Sequence, residues 1–234
     1  MFKYETHCHT SEVSKCARES AVSVVDFYKK KGYDGIFITD HFLNGNTTID
    51  RTQPWEKKVE DFYLSYEIAR KHGEEIDMDV FFGWEYTYNY TGKDGKYCGG
   101  NDFLTYGLDK KWLLAHPEIM EFELNEYCEL IRSEGGFIIH AHPFREDSYI
   151  DMMRLVPGSV DGIEIINSSR PDSENKMAEI FADYYGLLKT SGSDTHYFNR
   201  ERFSGIYTQN RLTSPLDMLK ELKDGTAEIF VENL

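Results

Sequence analysis

Six of the eight histidines fall in four short groups, and each group ends or directly follows an apolar run. The groups are His7-Cys8-His9, Thr39-Asp40-His41, His140-Ala141-His142-Pro143 and Ser193-Asp194-Thr195-His196. In an extended chain, side chains alternate between faces, so residues i and i+2 point the same way. An H-x-H pair can therefore aim two imidazoles at one point. Imidazole nitrogen together with carboxylate oxygen is the donor set of zinc, manganese and iron sites. Two such pairs plus two Asp/His pairs supply donors for more than one ion. The pattern predicts a metalloenzyme.

Within the groups the residues take different expected roles. His7 and His9 are the strongest ligand candidates. Asp194 and His196 project from one face, and both are expected to be ligands. His41 is expected to ligate, with Asp40 orienting a neighbour or carrying a proton. Glu85, directly after the apolar run 80–84, is expected to bridge two ions. Either His140 or His142 could ligate. His142 is preferred, and Pro143 is expected to hold it extended. His72 ends a helical stretch and His116 precedes a proline, so both are read as structural or solvated. Arg145, Arg170 and Arg18 lie just past ligand groups, where a guanidinium can fork onto two phosphate oxygens. A surface ion pair is the competing reading of each arginine.

These residues need rigid elements to position them. Strands are predicted at Phe2–Thr6, Gly35–Thr39, Val80–Trp84, Phe137–His140, Gly162–Ile166, Leu187–Ser191 and Gly205–Thr208. Helices are predicted at Ser20–Lys31, Trp55–His72, Ile119–Ser133, Ser148–Leu155, Ser173–Tyr185 and Pro215–Lys223. Gly32, Gly73, Gly135 and Gly186 read as C-terminal caps, and Ser20, Ser173 and Ser214 as N-caps. The Tyr-, Gly- and Asn-rich stretch Tyr86–Gly100 reads as a hairpin or active-site loop. Alternating strands and helices argue for a mainly parallel α/β sheet: a (β/α)7 barrel, with an open doubly wound sheet as the alternative. No linker or repeat divides residues 1–234, so a single domain is expected. In either architecture the ligand groups lie at strand carboxyl ends, where functional sites converge.

Bulk properties narrow the partners. The formal net charge of -15 disfavours general nucleic-acid binding, because phosphate contacts are built from Lys and Arg. No basic leader, and no apolar run long enough for a membrane span, is read at either scale. The four cysteines form no C-x-x-C pair. A cytoplasmic, reducing setting follows as the expectation.

Four motifs in order resemble the polymerase-and-histidinol-phosphatase (PHP) superfamily. They are His7-Cys8-His9-Thr10, Thr39-Asp40-His41, Ala141-His142-Pro143 and Gly192-Ser193-Asp194-Thr195-His196. The resemblance runs from about Tyr4 to beyond His196. It implies a distorted, TIM-like seven-stranded β/α barrel with two or three divalent metal ions and phosphoesterase activity. Carried over, His7, His9, Glu85 and Asp194 would hold the first ion. Glu85 and His142 would hold the second, and His41 and His196 the third. Where the family often places a further ligand, this chain has Ser14 and Lys15, so Glu12 is the candidate substitute. Where many members have a histidine, this chain reads Asp102-Phe103-Leu104-Thr105-Tyr106, and Asp102 is the candidate oxygen donor. Within that class, the reaction expected here is hydrolysis of a phosphomonoester of a small metabolite through a metal-bridging hydroxide. Arg145 would steady the transferring group, and Asp40 or His196 would protonate the leaving oxygen. Phosphodiesterase or exonuclease, protein-tyrosine phosphatase and histidinol phosphatase are the alternatives.

Overall fold

The computed structural model describes residues 1–91 and 97–233, with residues 90–91 and 97–98 as backbone only. Its strands are β1 (Phe2–Cys8), β2 (Gly35–Ile38), β3 (Asp79–Thr91), β4 (Tyr97–Tyr106), β5 (Phe137–His140), β6 (Gly162–Asn167), β7 (Leu188–Gly192), β8 (Arg202–Thr208) and β9 (Glu228–Asn233). Its helices are α1 (Ala21–Lys30), α2 (Trp55–Glu75), α3 (Lys110–Ala115), α4 (Leu124–Ser133), α5 (Asp172–Tyr185) and α6 (Pro215–Asp224).

The strands form one sheet in the order β7-β6-β5-β4-β3-β2-β1-β8-β9. The chain leaving β7 returns to β1. The Asp194 amide donates to the His7 carbonyl at 2.8 Å, and the His9 amide to the Thr195 carbonyl at 3.0 Å. Thr195 makes a parallel bridge with Cys8. Strands β1 to β7 thereby curl into a nearly closed barrel, and the β8–β9 hairpin extends the sheet beyond β1. The expected count of seven barrel strands holds, but the membership differs. β4 enters the barrel antiparallel to both β3 and β5, and the predicted strand at 205–208 lies outside it. The stretch Tyr86–Gly100 is a long hairpin whose tip, residues 92–96, lies outside the described residues.

Alternation sets two faces. Tyr4, Phe37, Phe81, Leu104, Tyr106, Phe137 and Ile139 form one buried cluster that fills the barrel interior, closed by Leu212 and Met218. Phe82, Trp84, Phe103, Ile138 and Ile163 face outward, where they pack on residues of α2, α3, α4 and α5. A register shift between Glu5 and Cys8 changes the phase of β1. Tyr4 and His7, three residues apart, can then both belong to the interior, as a bulge permits.

Several predicted boundaries are corrected. Residues 148–155 form no helix. Asn101 takes their backbone groups instead, accepting from the Arg154 amide at 2.7 Å and donating to the Met152 carbonyl at 3.1 Å. The predicted helix 119–133 is a 3-10 turn at Pro117–Met120 followed by α4, because Glu123 starts a new helix with a capping box to Glu126. Ser20 and Ser214 cap α1 and α6 as expected, while Pro171 rather than Ser173 precedes α5. Gly186 caps α5 with φ 64°. Gly73 is not a cap but lies inside α2. A Cβ there would sit 2.6 Å from the Met78 carbonyl oxygen and 2.7 Å from Val80, so glycine lets the helix lie against β3. α3 and β9 lie where no element was predicted, and β4 carries the expected hairpin at 86–100 on to Tyr106. Among the described residues, no helix is long and apolar enough to cross a membrane.

Candidate metal centre

The site stands at the carboxyl ends of the parallel strands. β4 runs the other way and contributes Asp102 from its middle, paired with Thr87 of β3. The imidazoles of His7 and His9 are each aimed by a bond on the far nitrogen. His7 Nδ1 lies 2.9 Å from Glu164 Oε1, and His9 Nδ1 lies 3.1 Å from Ser14 Oγ. The Ser14 hydroxyl donates to Asp40 Oδ1 at 2.7 Å, so its oxygen is left to accept from His9. These partners place protons on both Nδ1 atoms and turn both Nε2 atoms inward. The two Nε2 atoms face each other at 3.2 Å. Two nitrogens that close need a proton or a metal cation between them, and the surrounding carboxylates favour either.

Carboxylates complete the cluster. His7 Nε2 is 3.3 Å from Glu85 Oε1 and 3.6 Å from Asp194 Oδ1. His9 Nε2 is 3.3 Å from Asp194 Oδ1 and 3.6 Å from Glu85 Oε2. Glu85 Oε1 also meets His142 Nε2 at 3.2 Å, and Asp102 Oδ2 lies 3.9 Å from that nitrogen. On the other side, His41 Nδ1 approaches Glu85 Oε2 at 2.5 Å, yet neither atom has an aligned hydrogen bond. Three-donor groups of metal-site size result: His7, His9 and Glu85; His7, His142 and Asp194; Glu85, Asp102 and His142; and His9, His41 and His196. Burial opposes charge on Glu85, but His41 and His7 hold its carboxyl well below the usual range. Asp194 is likewise held down by His7 and His196 against its burial. Burial pushes His9 well below the ordinary imidazole value, assisted by His196 and His41. Burial would lower His7 too, but Glu164, Asp194 and Glu85 outweigh it and hold it well above that value. Anionic oxygens competing for protons on inward-facing imidazoles are the donor chemistry a divalent cation fits.

Backbone strain marks two of these positions. His142 and Asp194 have φ 29° and 52°, in the left-handed region that non-glycine residues seldom occupy. The expectation that Pro143 holds His142 extended is therefore corrected. Alternation would put His142 on the outer face with His140. The left-handed backbone swings it into the barrel mouth instead, and the Glu164 carboxylate secures its amide at 3.0 Å. His140 stays outside, stacked on Phe103 at 4.4 Å, with its Nδ1 unpartnered.

Other predicted residues fall elsewhere. Glu12 does not reach the cluster, since both carboxylate oxygens accept from the Ala21 amide at the start of α1. Asp40 is buried and accepts from Thr10 N, Thr10 Oγ1, Ser14 Oγ and Ser65 Oγ. It is saturated with donors and supports the frame, so the proton-carrier expectation is withdrawn. Asp102 groups with Glu85 and His142. Arg18 stacks over Tyr197 at 5.8 Å and does not line the cleft. Arg170 lines the cleft but is committed to Glu174 through two bonds of 2.7 and 2.8 Å. Arg145 lines it with an unpartnered Nε, lying over Tyr149 at 5.4 Å. His72 bonds Asp26 at 2.7 Å and His116 bonds the Trp112 carbonyl at 2.8 Å, away from the site.

Sequence reasoning missed Glu164, Ser14, Asn167, Cys16 and Arg200. Glu164 left a signal, a lone carboxylate inside the apolar run Gly162-Ile163-Glu164-Ile165-Ile166. Asn167 joins Glu164 to Asp194, donating at 2.9 and 3.3 Å. Arg200 lines the cleft with an unpartnered Nε, over Tyr197 at 4.9 Å. Cys16 Sγ lies 3.2 Å from His41 Nε2. Burial would raise its thiol, but hydrogen bonds to His196 and His41 bring it down to about 6. The cleft above these residues measures about 680 Å³.

No protein-family model matches the chain, and no curated protein matches it. Solved structures do. A two-domain protein from Bacteroides vulgatus, described as containing a predicted PHP-like metal-dependent phosphoesterase, is 16% identical with a TM-score of 0.66. The match covers 98% of this chain and 64% of that one. A putative metal-dependent phosphoesterase from Bifidobacterium adolescentis is 15% identical over 94% of this chain and 95% of that one, with a TM-score of 0.56. An amidohydrolase from Chromobacterium violaceum, solved with bound sulfate and no metal, is 15% identical over 83% and 87%, with a TM-score of 0.58. The chain thus has the barrel fold of structures named as metal-dependent phosphoesterases and an amidohydrolase.

Proposed function

We propose that this protein is a PHP-type metal-dependent phosphoesterase acting on the phosphomonoester of a small metabolite. The observation that carries the reading is the convergence of His7 and His9 Nε2 at 3.2 Å, flanked by Glu85 and Asp194, beneath a cleft lined by Arg145, whose guanidinium lies 3.6 Å from Asp147 and keeps its Nε free of a hydrogen bond. His7, His9, Glu85 and Asp194 would hold one ion. Glu85, His142 and Asp102 would hold a second, and His41 and His196 contribute to a third. Zinc, manganese and iron suit these donors. The ions would supply Lewis-acid charge for phosphate oxygens and lower the pKa of a water to ~7.

The chain's own residues do the rest. Arg145 forks onto phosphate oxygens from the cleft wall and resists the build-up of negative charge on the transferring group. Tyr149 packs beneath its guanidinium and fixes its plane. Glu164, Ser14 and Asp40 hold His7 and His9 in one tautomer, so no ring rotation is needed as substrate arrives. The small cleft and the charge of -15 favour a small substrate over a polyanion. The described cysteines Cys8, Cys16 and Cys128 are free thiols, which supports a reducing, cytoplasmic setting.

Phosphate release from a panel of monoesters and diesters, with Mn, Zn and Fe loaded separately, tests the reading. Metal-dependent monoester turnover is expected, lost in Glu85→Gln together with bound metal. Arg145→Ala is expected to lower kcat by about 10²–10³-fold with metal content unchanged. Faster diester turnover would move the assignment to a phosphodiesterase. Full activity and metal content in Glu85→Gln would overturn it.

A further inference from the structure

We propose that Cys16 is a thiolate ligand, and that it makes the His41–His196 side of the site a mixed nitrogen–sulfur position for a soft divalent cation such as zinc. The inference rests on the metal-dependent reading above and extends it to a residue outside the four histidine groups. The oxygen donors beside these histidines are the carboxylates of Glu85 and Asp194, the latter 3.3 Å from His196 Nδ1. Ser14 is spent on Asp40 and His9, and Glu12 caps α1. Lys15 has a positive side chain, and its amide donates to the Asn46 carbonyl at 2.8 Å. The next residue is Cys16, and the backbone around it is pinned toward the site. The Ala17 amide donates to the Ser14 carbonyl at 3.0 Å, and the Arg18 amide to the His196 carbonyl at 2.8 Å.

The geometry suits shared coordination. Cys16 Sγ lies 3.2 Å from His41 Nε2 and is also hydrogen-bonded to His196. Sulfur and nitrogen ligands on one tetrahedral zinc, at ~2.3 and ~2.0 Å from the metal, stand about 3.5 Å apart. His9, His41 and His196 already bring nitrogen donors within 4.8 Å of one another, with the His9 ring 4.4 Å from His41 and 4.3 Å from His196. His41 joins the two parts of the site: its Nδ1 meets buried Glu85 Oε2 at 2.5 Å, and its Nε2 meets Cys16 Sγ at 3.2 Å. The other described cysteines are engaged elsewhere: Cys8 donates to the Phe37 carbonyl at 3.2 Å, and Cys128 is buried in the helix layer. Thiolate ligands favour zinc over manganese, so this position would differ in metal preference from the oxygen-rich pair at Glu85 and Asp102.

Cobalt substitution tests the assignment. Co(II)-loaded protein is expected to show a thiolate-to-cobalt charge-transfer band in the near ultraviolet. Cys16→Ser is expected to lose the band and about one equivalent of metal, while Cys128→Ser keeps both. Cys16→Asp is expected to regain the metal without the band, which separates loss of a ligand from misfolding. Zinc-edge absorption should show one sulfur at about 2.3 Å in the parent protein and none in Cys16→Ser. Metal bound at His7 and His9 with no sulfur signal would overturn this inference and leave the metalloenzyme reading standing. No metal bound at all would overturn both. A band that survives in Cys16→Ser would overturn the assignment to Cys16.

Discussion

His140 and His142 are two positions apart but lie in different environments, and the difference is measurable. His140 is buried on the outer face of β5, and burial, assisted by His142, lowers its pKa from 6.5 to about 3. The folded protein therefore keeps it neutral while the unfolded chain protonates it below 6.5. Stability is lost as pH falls through the window between 6.5 and about 3, amounting to about 2 kcal/mol by pH ~5. His140→Leu should lack this term, so in denaturant melts the stability of the parent relative to the variant should fall by about 2 kcal/mol between pH 7 and pH ~5. Parallel acid profiles would contradict the buried-neutral assignment. Glu164 makes a second case. It orients His7 through Nδ1 and holds the His142 amide. Glu164→Gln should weaken metal binding about 10–100-fold in a chelator-competition titration, without removing any proposed ligand.

At the scale of elements, two residues read one way from sequence and act another way in the fold. Gly73 sits inside α2, where alanine ordinarily gains about 0.5–1 kcal/mol. Here the added Cβ would meet the Met78 carbonyl and Val80. Gly73→Ala should instead cost about 1–3 kcal/mol in a denaturant melt, because α2 must lift from β3. Glu12 closes the start of α1 with its carboxylate. Glu12→Ala should cost about 1 kcal/mol of stability and leave bound metal unchanged. Metal loss in that variant would return Glu12 to the ligand list. The barrel strands show why element prediction fell short at β4. Its sequence has Asn, Asp and glycines among the apolar residues, and its strand character comes from ladders to β3 on one side and β5 on the other.

Across the whole molecule, the site lies at the seam of the barrel. Donors come from β1, β3, β4 and the segments after β2, β5 and β7, and the seam between β1 and β7 runs beneath them. Bound ions would tie these segments together, since they bind the folded state and not the unfolded chain. Chelation should therefore remove about 3 kcal/mol and lower Tm by roughly 5–10 °C, reversed by adding metal back. An unchanged Tm after verified metal removal would show that the ions do not bridge the seam.

The ligand groups themselves were legible in the sequence, because metal chemistry restricts donors to a few residue types and a strand's period of two makes H-x-H meaningful. So were the strand–helix alternation and the placement of the groups at strand ends. Tertiary structure alone decided which residue of each group faces inward. The bulge in β1 gives His7 and Tyr4 a common interior, and the left-handed φ of His142 reverses the face that alternation assigns it. The same is true of Glu164, Ser14 and Cys16. Each meets the cluster through contacts distant in sequence, and no local period encodes which imidazole a remote carboxylate or thiol will touch.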